Sequence, residues 1–201
     1  METQQTTQSA APLEITKTYE KLLFPTPFYS FVDPEYQTIK DQLFELTKKR
    51  ANEVFSETQL ADLMNEDSDC ISHIKQSVYT VCSQLPEFSE GKIPAIIGSN
   101  ILFQNLKEHI PLHAYEHIPL VVSFVLNSGD FRPKIYYADP RGGVQTMNRN
   151  RVAQNIVETT FSLQAYEGEI LITPGYLQRY VESNLSVDTF VILDVLVGFN
   201  T

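Results

Sequence analysis

The chain has 201 residues and a formal net charge of −10. This length predicts one domain with a sizeable core, and the acidic balance argues against general nucleic-acid binding, which needs a basic surface. No stretch of about 18 apolar residues occurs, so the sequence predicts no membrane-spanning helix. Cys70 and Cys82 fit neither a metal-ligand spacing nor a disulfide framework, which indicates a reducing compartment.

The first residues, METQQTTQSAAPLE, are polar and low in complexity. They have neither the basic start nor the apolar block of a secretory signal. We therefore expect a flexible arm at 1–14, followed by a single domain at 15–201. Within that domain, residues 15–92 are expected to form a strand and helices, and residues 93–201 a β-barrel.

The first element of the domain is predicted to be a strand at 22–33, whose prolines favour the edge of a sheet. Asp33 and Pro34 are residue types that begin a helix, and basic residues end it, which predicts a helix at 34–50. A short helix is predicted at 56–64.

A further helix is predicted at 69–85, because apolar residues recur there at helical spacing and Pro86 follows. This apolar stripe consists of Ile71, Ile74, Val78, Val81 and Leu85.

From residue 93 onward the pattern changes to short runs rich in β-branched and aromatic residues, bounded by Gly, Pro, Asn and Asp. About seven runs at such close spacing indicate an antiparallel sandwich or barrel instead of alternating βαβ units. The runs are IPAIIG, NILFQNL, PLVVSFVLN, KIYYAD, ETTFSLQAY, GEILITP and DTFVILDVLVGFN. The predicted fold is mainly β, with an N-terminal helical layer on a β-rich remainder.

The histidines are the first candidates for a metal site. His109, His113 and His117 are four residues apart, a spacing that on a helix would place three ligands on one face. Pro111 lies inside this spacing and breaks a helix, so a helical zinc site is disfavoured. In a strand, His113 and Tyr115 would point to the same face.

Several motifs occur in an order that resembles a known family. They are FPTP near the start, a His-containing segment, YYADPRG, ITPGYLQRYVESN and a closing VLVGFN. The chain resembles the 2-oxoglutarate- and Fe(II)-dependent oxygenases of bacteria and of tailed phages of marine bacteria, over residues 22–200. The resemblance implies a double-stranded β-helix, or jelly roll.

The same resemblance implies where the reactive groups of such an enzyme would lie. The family binds iron with two histidines and one carboxylate and holds 2-oxoglutarate with an arginine. His113 matches the first ligand, but Tyr115 and Arg179 replace the other two ligands and Asp194 replaces the arginine. No histidine follows His117 in the sequence. The sequence thus predicts a degenerate pocket with no metal, cofactor or catalytic residue, in which Arg179 and Asp194 could pair.

The predicted function is therefore non-catalytic. The chain is expected to be a pseudoenzyme that serves as a structural protein of a bacteriophage virion, in the neck, tail or head decoration. Its partners would be protein subunits of an oligomeric assembly, with neither nucleic acid nor membrane, contacted through the arm and the loop at 128–151. The expected location is the virion, or alternatively the cytoplasm of the bacterial host.

Two alternatives remain open from the sequence. One is an active Fe(II)- and 2-oxoglutarate-dependent dioxygenase with an atypical metal site, in which His109, His117 or Glu116 joins His113. The other is a module that binds a small molecule or peptide in the remnant pocket without metal.

Overall fold

The computed structural model describes residues 16–23, 26–53, 63–85, 92–138 and 160–200. The predicted arm, most of the 56–64 helix and the second half of the 128–151 loop lie outside these residues. The division into an arm and one domain therefore stays a prediction. In the part of the chain that is described, no helix is long and apolar enough to cross a membrane.

Two antiparallel sheets form most of the described structure. The six-stranded sheet has the strand order β1-β2-β8-β5-β10-β3, and the four-stranded sheet has the order β4-β9-β6-β7. The strands of the larger sheet are β1 (Thr16–Leu23), β2 (Thr26–Val32), β3 (Ile93–Gln104), β5 (Leu120–Asn127), β8 (Glu169–Pro174) and β10 (Phe190–Asn200). Those of the smaller sheet are β4 (Ile110–His113), β6 (Lys134–Ala138), β7 (Thr160–Gln164) and β9 (Gln178–Val181). The predicted antiparallel, mainly β architecture is confirmed.

Two α-helices accompany the sheets, α1 (Tyr36–Glu53) and α2 (Asp69–Ser83), with a 3-10 turn at Leu63–Asn65. The predicted apolar stripe is confirmed, because all five of its residues are fully buried. The helix itself ends at Ser83, two residues before the predicted end, so Leu85 follows α2. These helical residues pack on one face of the larger sheet and form one hydrophobic cluster with it. A second cluster fills the space between the two sheets.

Side-chain alternation along β10 shows which residues face which cluster. Val191 and Leu193 belong to the helix-side cluster, whereas Phe190 and Ile192 belong to the cluster between the sheets. Because side chains alternate along a strand, Asp194 points between the sheets. The register of this strand therefore places a carboxylate inside the barrel.

The start of the domain differs from the prediction. The strand expected at 22–33 is two strands, β1 and β2, and β2 lies inside the sheet between β1 and β8. Its Pro27 is tolerated because β8 pairs only with Tyr29–Val32, so no ladder bond on that side needs the missing N–H group.

The first helix begins two residues later than expected. Pro34 and Glu35 form a turn, and α1 starts at Tyr36. Asp33 still acts at the helix start, since its Oδ1 accepts a hydrogen bond of 3.0 Å from the Glu35 backbone N–H. In the barrel, IPAIIG and NILFQNL form one continuous strand, and the short strands β4 and β9 were not predicted.

Candidate functional site

The four residues of the predicted pocket come together between the two sheets. His113 ends β4 and pairs across the ladder with Arg179 of β9. Tyr115 lies two residues beyond His113, and Asp194 reaches the same space from β10. Residues that are distant in sequence thus converge because the two sheets close over one interior.

The guanidinium of Arg179 is the centre of this cluster. The residue is 3% exposed, and each of its three nitrogens donates to a neighbour. Nη2 donates to the Asp194 carboxylate, Nη1 donates to Ser123 Oγ at 2.7 Å, and Nε donates to His113 Nε2 at 3.2 Å. The buried charge of Arg179 is therefore paired, and all three nitrogens of its guanidinium are hydrogen-bonded within the cluster.

Asp194 is completely buried and accepts hydrogen bonds on both oxygens. Ser123 Oγ donates to Oδ1 at 2.7 Å, and the Tyr115 hydroxyl donates to Oδ2 at 2.8 Å. The Tyr115 hydroxyl in turn accepts from Asn100 Nδ2 at 2.9 Å. The negative charge is thus compensated by Arg179 and by two hydroxyl donors, which a buried carboxylate requires.

The hydrogen bonds of His113 fix its protonation state. Nδ1 lies 2.9 Å from the carbonyl oxygen of Pro111 and donates to it, so Nε2 carries the lone pair that accepts from Arg179. Burial, and next the positive charge of Arg179, lower the pKa of His113. The imidazole is therefore neutral, and the lone pair that would bind a metal is engaged by a cation.

The other titratable groups of the cluster also keep one charge state. Burial raises the pKa of Tyr115, and Asp194 adds to this effect. Burial also raises the pKa of Tyr137 to about 12, and the strand ladder places this residue opposite Arg179. Burial acts to lower the pKa of Arg179, but the combined effects of Asp194, Tyr137 and Tyr115 raise that pKa overall. The phenols stay neutral and the guanidinium stays charged at physiological pH.

A glycine allows the loop after β4 to close over the cluster. A Cβ atom at Gly175 would lie 2.1 Å from the carbonyl oxygen of Ile118 and 2.5 Å from that of Tyr115. The Tyr115 backbone N–H donates to the Gly175 carbonyl at 2.7 Å. The cavity left beside His113 and Arg179 measures about 10 Å³, which suffices for one water molecule.

These residues do not fit the iron site that the fold implies. Such a site needs three ligands with open positions for cosubstrate and oxygen. Among the described residues, no group of three His, Cys, Asp or Glu side chains is placed to hold a metal ion. His109, Glu116 and His117 are exposed, outside the buried cluster. The groups around His113 are instead the guanidinium of Arg179, the hydroxyl of Ser123 and the carboxylate of Asp194, which is already paired with Arg179.

Comparison with known proteins identifies the fold. No family model and no curated protein matches the sequence. Among solved structures, the chain resembles the α-ketoglutarate-dependent carbocyclase SnoK of nogalamycin biosynthesis, with a TM-score of 0.60, 11% identity and coverage of 86% of this chain and 79% of SnoK. It also resembles AviO1 from Streptomyces viridochromogenes Tue57, with a TM-score of 0.57, 9% identity and coverage of 97% and 96%.

A third similar structure is that of HygX from Streptomyces hygroscopicus with iron bound. Its TM-score is 0.53 at 11% identity, over 86% of this chain and 82% of HygX. The chain therefore has the double-stranded β-helix fold of the 2-oxoglutarate- and Fe(II)-dependent oxygenases. At such low identity the likeness defines the fold alone, and the function depends on the residues of the site.

Sequence reasoning missed two members of the cluster, Ser123 and Asn100. Ser123 is a single polar residue in the apolar strand LVVSFVLN, at an inward position of a strand that is buried on both faces. An isolated hydroxyl in such a strand needs a buried partner, and this signal could have identified it. Asn100 gives no comparable signal, because in the sequence it lies where the two predicted runs IPAIIG and NILFQNL meet.

Proposed function

We propose that this chain is a non-catalytic structural or assembly protein that uses the oxygenase fold without iron or 2-oxoglutarate. The observation that carries the proposal is the buried contact of Arg179 with Asp194 and with Nε2 of His113, the nitrogen that would otherwise be available to a metal ion. By the family resemblance, an oxygenase would have an iron ligand at the position of Arg179 and a cation at the position of Asp194, so the charges at both positions are reversed here. The proposal follows from that reversal.

Two electrostatic arguments support it. A guanidinium hydrogen-bonded to His113 Nε2 repels a divalent cation at the same nitrogen. The carboxylate of Asp194 repels the carboxylates of 2-oxoglutarate. Making room for either group would separate a buried ion pair, which costs about 3–5 kcal/mol when one charge loses its partner.

The size of the remaining cavity supports a function that does not use this pocket. A space of about 10 Å³ is far below the roughly 300 Å³ of ordinary ligand pockets. This argues against a module that binds a small molecule or peptide in the remnant site. The surface of the fold is then the part available for function.

We further propose that the assembly is a bacteriophage virion, in which the chain contacts other protein subunits as an oligomer. Support comes from the resemblance of FPTP, YYADPRG and the closing segments to a family frequent in tailed phages. The acidic net charge is compatible with contacts to protein and not to nucleic acid. Detection of the chain by mass spectrometry in purified virions would support this location, whereas recovery only from host cytoplasm would contradict it.

The central test measures iron and turnover together. Protein expressed with iron should contain far less than one iron per chain and should form no succinate from 2-oxoglutarate above background. An active oxygenase of the same fold, assayed in parallel, controls for metal loss during purification. Iron near one equivalent together with succinate formation would establish the alternative, an active dioxygenase with an atypical site.

A matched variant sharpens the same test. Arg179→Met removes the cation that engages His113 and leaves the histidine in place. If the guanidinium is what excludes metal, this variant should bind a divalent ion more tightly than the unmodified chain. Thermal unfolding confirms that both proteins are folded before their metal content is compared. Equal or weaker metal binding by the variant would remove the electrostatic support for the proposal.

A further inference from the structure

A groove of about 390 Å³ lies at the end of the barrel away from the cavity beside Arg179. Its lining includes Ser128, Asp130, Arg132, Tyr166, Glu167 and Asp188. These residues follow the end of β5 and precede the starts of β8 and β10, whereas Val121 and Thr173, at the opposite ends of β5 and β8, line the small cavity. The volume of the groove falls within the roughly 300–1,000 Å³ of ordinary ligand pockets.

Two carboxylates of this groove have no cationic partner. Asp130 and Asp188 are exposed, and neither forms an ion pair with a residue that the structure describes. Asp188 Oδ2 has only a long contact of 3.5 Å with the Ser186 hydroxyl. Glu167, in contrast, is paired with Lys40 at 2.6 Å. The groove therefore presents two carboxylates that can accept hydrogen bonds from a ligand.

A buried hydroxyl in the lining also has no partner. Ser128 is 6% exposed, and its side chain forms no hydrogen bond within the described part of the chain. In that part, the unpaired polar side-chain atoms that are closed off from solvent are Gln104 Oε1 and the Tyr137 hydroxyl. The Ser128 hydroxyl is not one of them, so it is reached through the groove. Buried polar groups are normally hydrogen-bonded, and a ligand in the groove would supply the partner.

The loops around the groove are fixed to each other. Asn127 Nδ2 donates to the carbonyl oxygen of Thr189 at 2.8 Å, and Asn127 Oδ1 accepts from the Gly129 backbone N–H at 3.3 Å. Asn184 Nδ2 donates to the carbonyl oxygen of Asp188 at 2.7 Å. Gly129 has a φ of 58°, and a Cβ atom there would lie 3.1 Å from the Cβ atom of Asp188. A ligand would thus bind a preformed groove, which lowers the entropic cost of binding.

Apolar side chains lie next to this polar groove. Leu185 is 62% exposed and Val187 is 86% exposed, on the same loop that carries Asp188. Protein interfaces combine apolar contacts with polar groups in this way. The surroundings therefore favour a protein segment as the ligand over a small ion.

We propose that the groove binds a lysine side chain of another protein subunit. An ammonium group has three donors and no acceptor, and Asp130, Asp188 and Ser128 offer acceptors with no ion-pair partner. Attraction between the cation and the two carboxylates supplies the specificity. The inference rests on the proposed assembly function, because a partner subunit carries the lysine.

Arg132 is compatible with this ligand. Its guanidinium lies 4.7 Å from the centre of the Tyr166 ring, a cation–π contact that fixes it at one side of the groove. Three carboxylates in the lining outnumber this one guanidinium. Arg132 can then donate to a carbonyl oxygen of the peptide backbone that carries the lysine.

The test uses a short peptide with blocked ends and a single lysine, titrated into the protein and followed by the NMR signals of its backbone amides. Shifts that saturate should map to Gly129, Asp130 and Asp188. Asp130→Asn combined with Asp188→Asn should raise the dissociation constant about tenfold or more. The same peptide with norleucine in place of lysine keeps the length and removes the charge, so it should not bind.

The control variant is Glu116→Gln, which removes an exposed carboxylate in the loop that contacts Gly175, at the other end of the barrel. It should bind the lysine peptide like the unmodified chain, although it also lowers the net negative charge. Shifts that map elsewhere, equal binding of the norleucine peptide, or an equal loss with Glu116→Gln would each overturn the proposal. The map on the unmodified chain decides the case in which the double variant does not fold. None of these outcomes depends on iron content, so the two proposals can fail separately.

Discussion

Two buried carboxylates, Asp194 and Asp33, lie in different parts of the molecule and are each paired with a basic side chain. Asp194 lies between the sheets with Arg179. Asp33 lies under the helices, with its Oδ2 2.6 Å from Nε2 of His73 and 3.3 Å from the donating hydroxyl of Ser77. Both carboxylates are almost completely buried, so neither can be left without a partner.

The two clusters differ in what they connect. Asp33 joins the end of β2 to both helices, since its Oδ1 accepts from the Glu35 backbone N–H at the start of α1 and its Oδ2 contacts α2. Its own backbone N–H donates to Gly168 at 3.2 Å. Asp194 of β10 joins the two sheets through its contacts with Arg179 of β9 and with Tyr115.

They also differ in how they respond to pH. Arg179 stays charged, because an arginine cannot be deprotonated in a protein under ordinary conditions. His73 can lose its proton. The hydrogen bond to Asp33 raises the pKa of His73, while burial lowers it less strongly. The ion pair of Arg179 and Asp194 therefore keeps both charges over the ordinary pH range. The contact between His73 and Asp33, in contrast, has a strength that depends on pH.

The largest effect is expected from breaking the barrel pair. Asp194→Ala leaves the Arg179 charge buried without its partner and should lower the free energy of unfolding by about 3–5 kcal/mol. Arg179→Met combined with Asp194→Leu should recover much of this loss, because the desolvation of both charges is then removed. Denaturant unfolding of the single and double variants gives the coupling energy.

The control for this cycle is Asp130→Ala, which removes an exposed carboxylate and should change the free energy of unfolding by less than about 1 kcal/mol. A coupling energy below about half a kcal/mol between positions 179 and 194 would show that the two charges act independently.

A smaller effect is expected at His73, and it should depend on pH. Removing a hydrogen bond to a charged group costs about 1.5–3 kcal/mol, so His73→Gln should destabilise the chain at or below neutral pH. The folded-state pKa of His73 lies above its ordinary value of 6.5. The contribution of charged His73 to the free energy of unfolding is therefore complete below pH 6.5 and is lost as the pH rises through the raised pKa.

The measurement is the free energy of unfolding between weakly acidic and alkaline pH. The difference between the unmodified chain and His73→Gln should shrink as the pH rises. The control is His117→Gln, which replaces an exposed histidine. Its free energy of unfolding should change with pH in the same way as that of the unmodified chain. A constant difference across the whole range would mean that His73 is not charged in the folded protein.

The smallest effect is expected from Tyr115→Phe. This change removes one donor to Asp194 and the acceptor for Asn100, while Arg179 and Ser123 still compensate the carboxylate. The expected loss is about 1 kcal/mol, with no change in the pH dependence because the Tyr115 phenol is protonated over the whole range. A loss as large as that of Asp194→Ala would show that Tyr115, and not Arg179, is the main partner.

Much of the fold followed from local patterns in the sequence. The stripe from Ile71 to Leu85 identified α2, because one face of an amphipathic helix must be buried. The longer β-branched runs identified most of the barrel strands. The short strands β4 and β9 were missed because IPLH and QRYV contain Pro or polar residues and too few positions to show alternation.

The sequence by itself determined that no histidine follows His117 and that Arg179 and Asp194 carry opposite charges in segments that resemble the family's site. Only the tertiary structure decided how these groups meet. It placed the Arg179 guanidinium against the lone pair of His113 and brought Ser123 to the Asp194 carboxylate. These contacts join residues 66 and 71 positions apart, so they arise from sheet register and barrel closure, which no local pattern specifies.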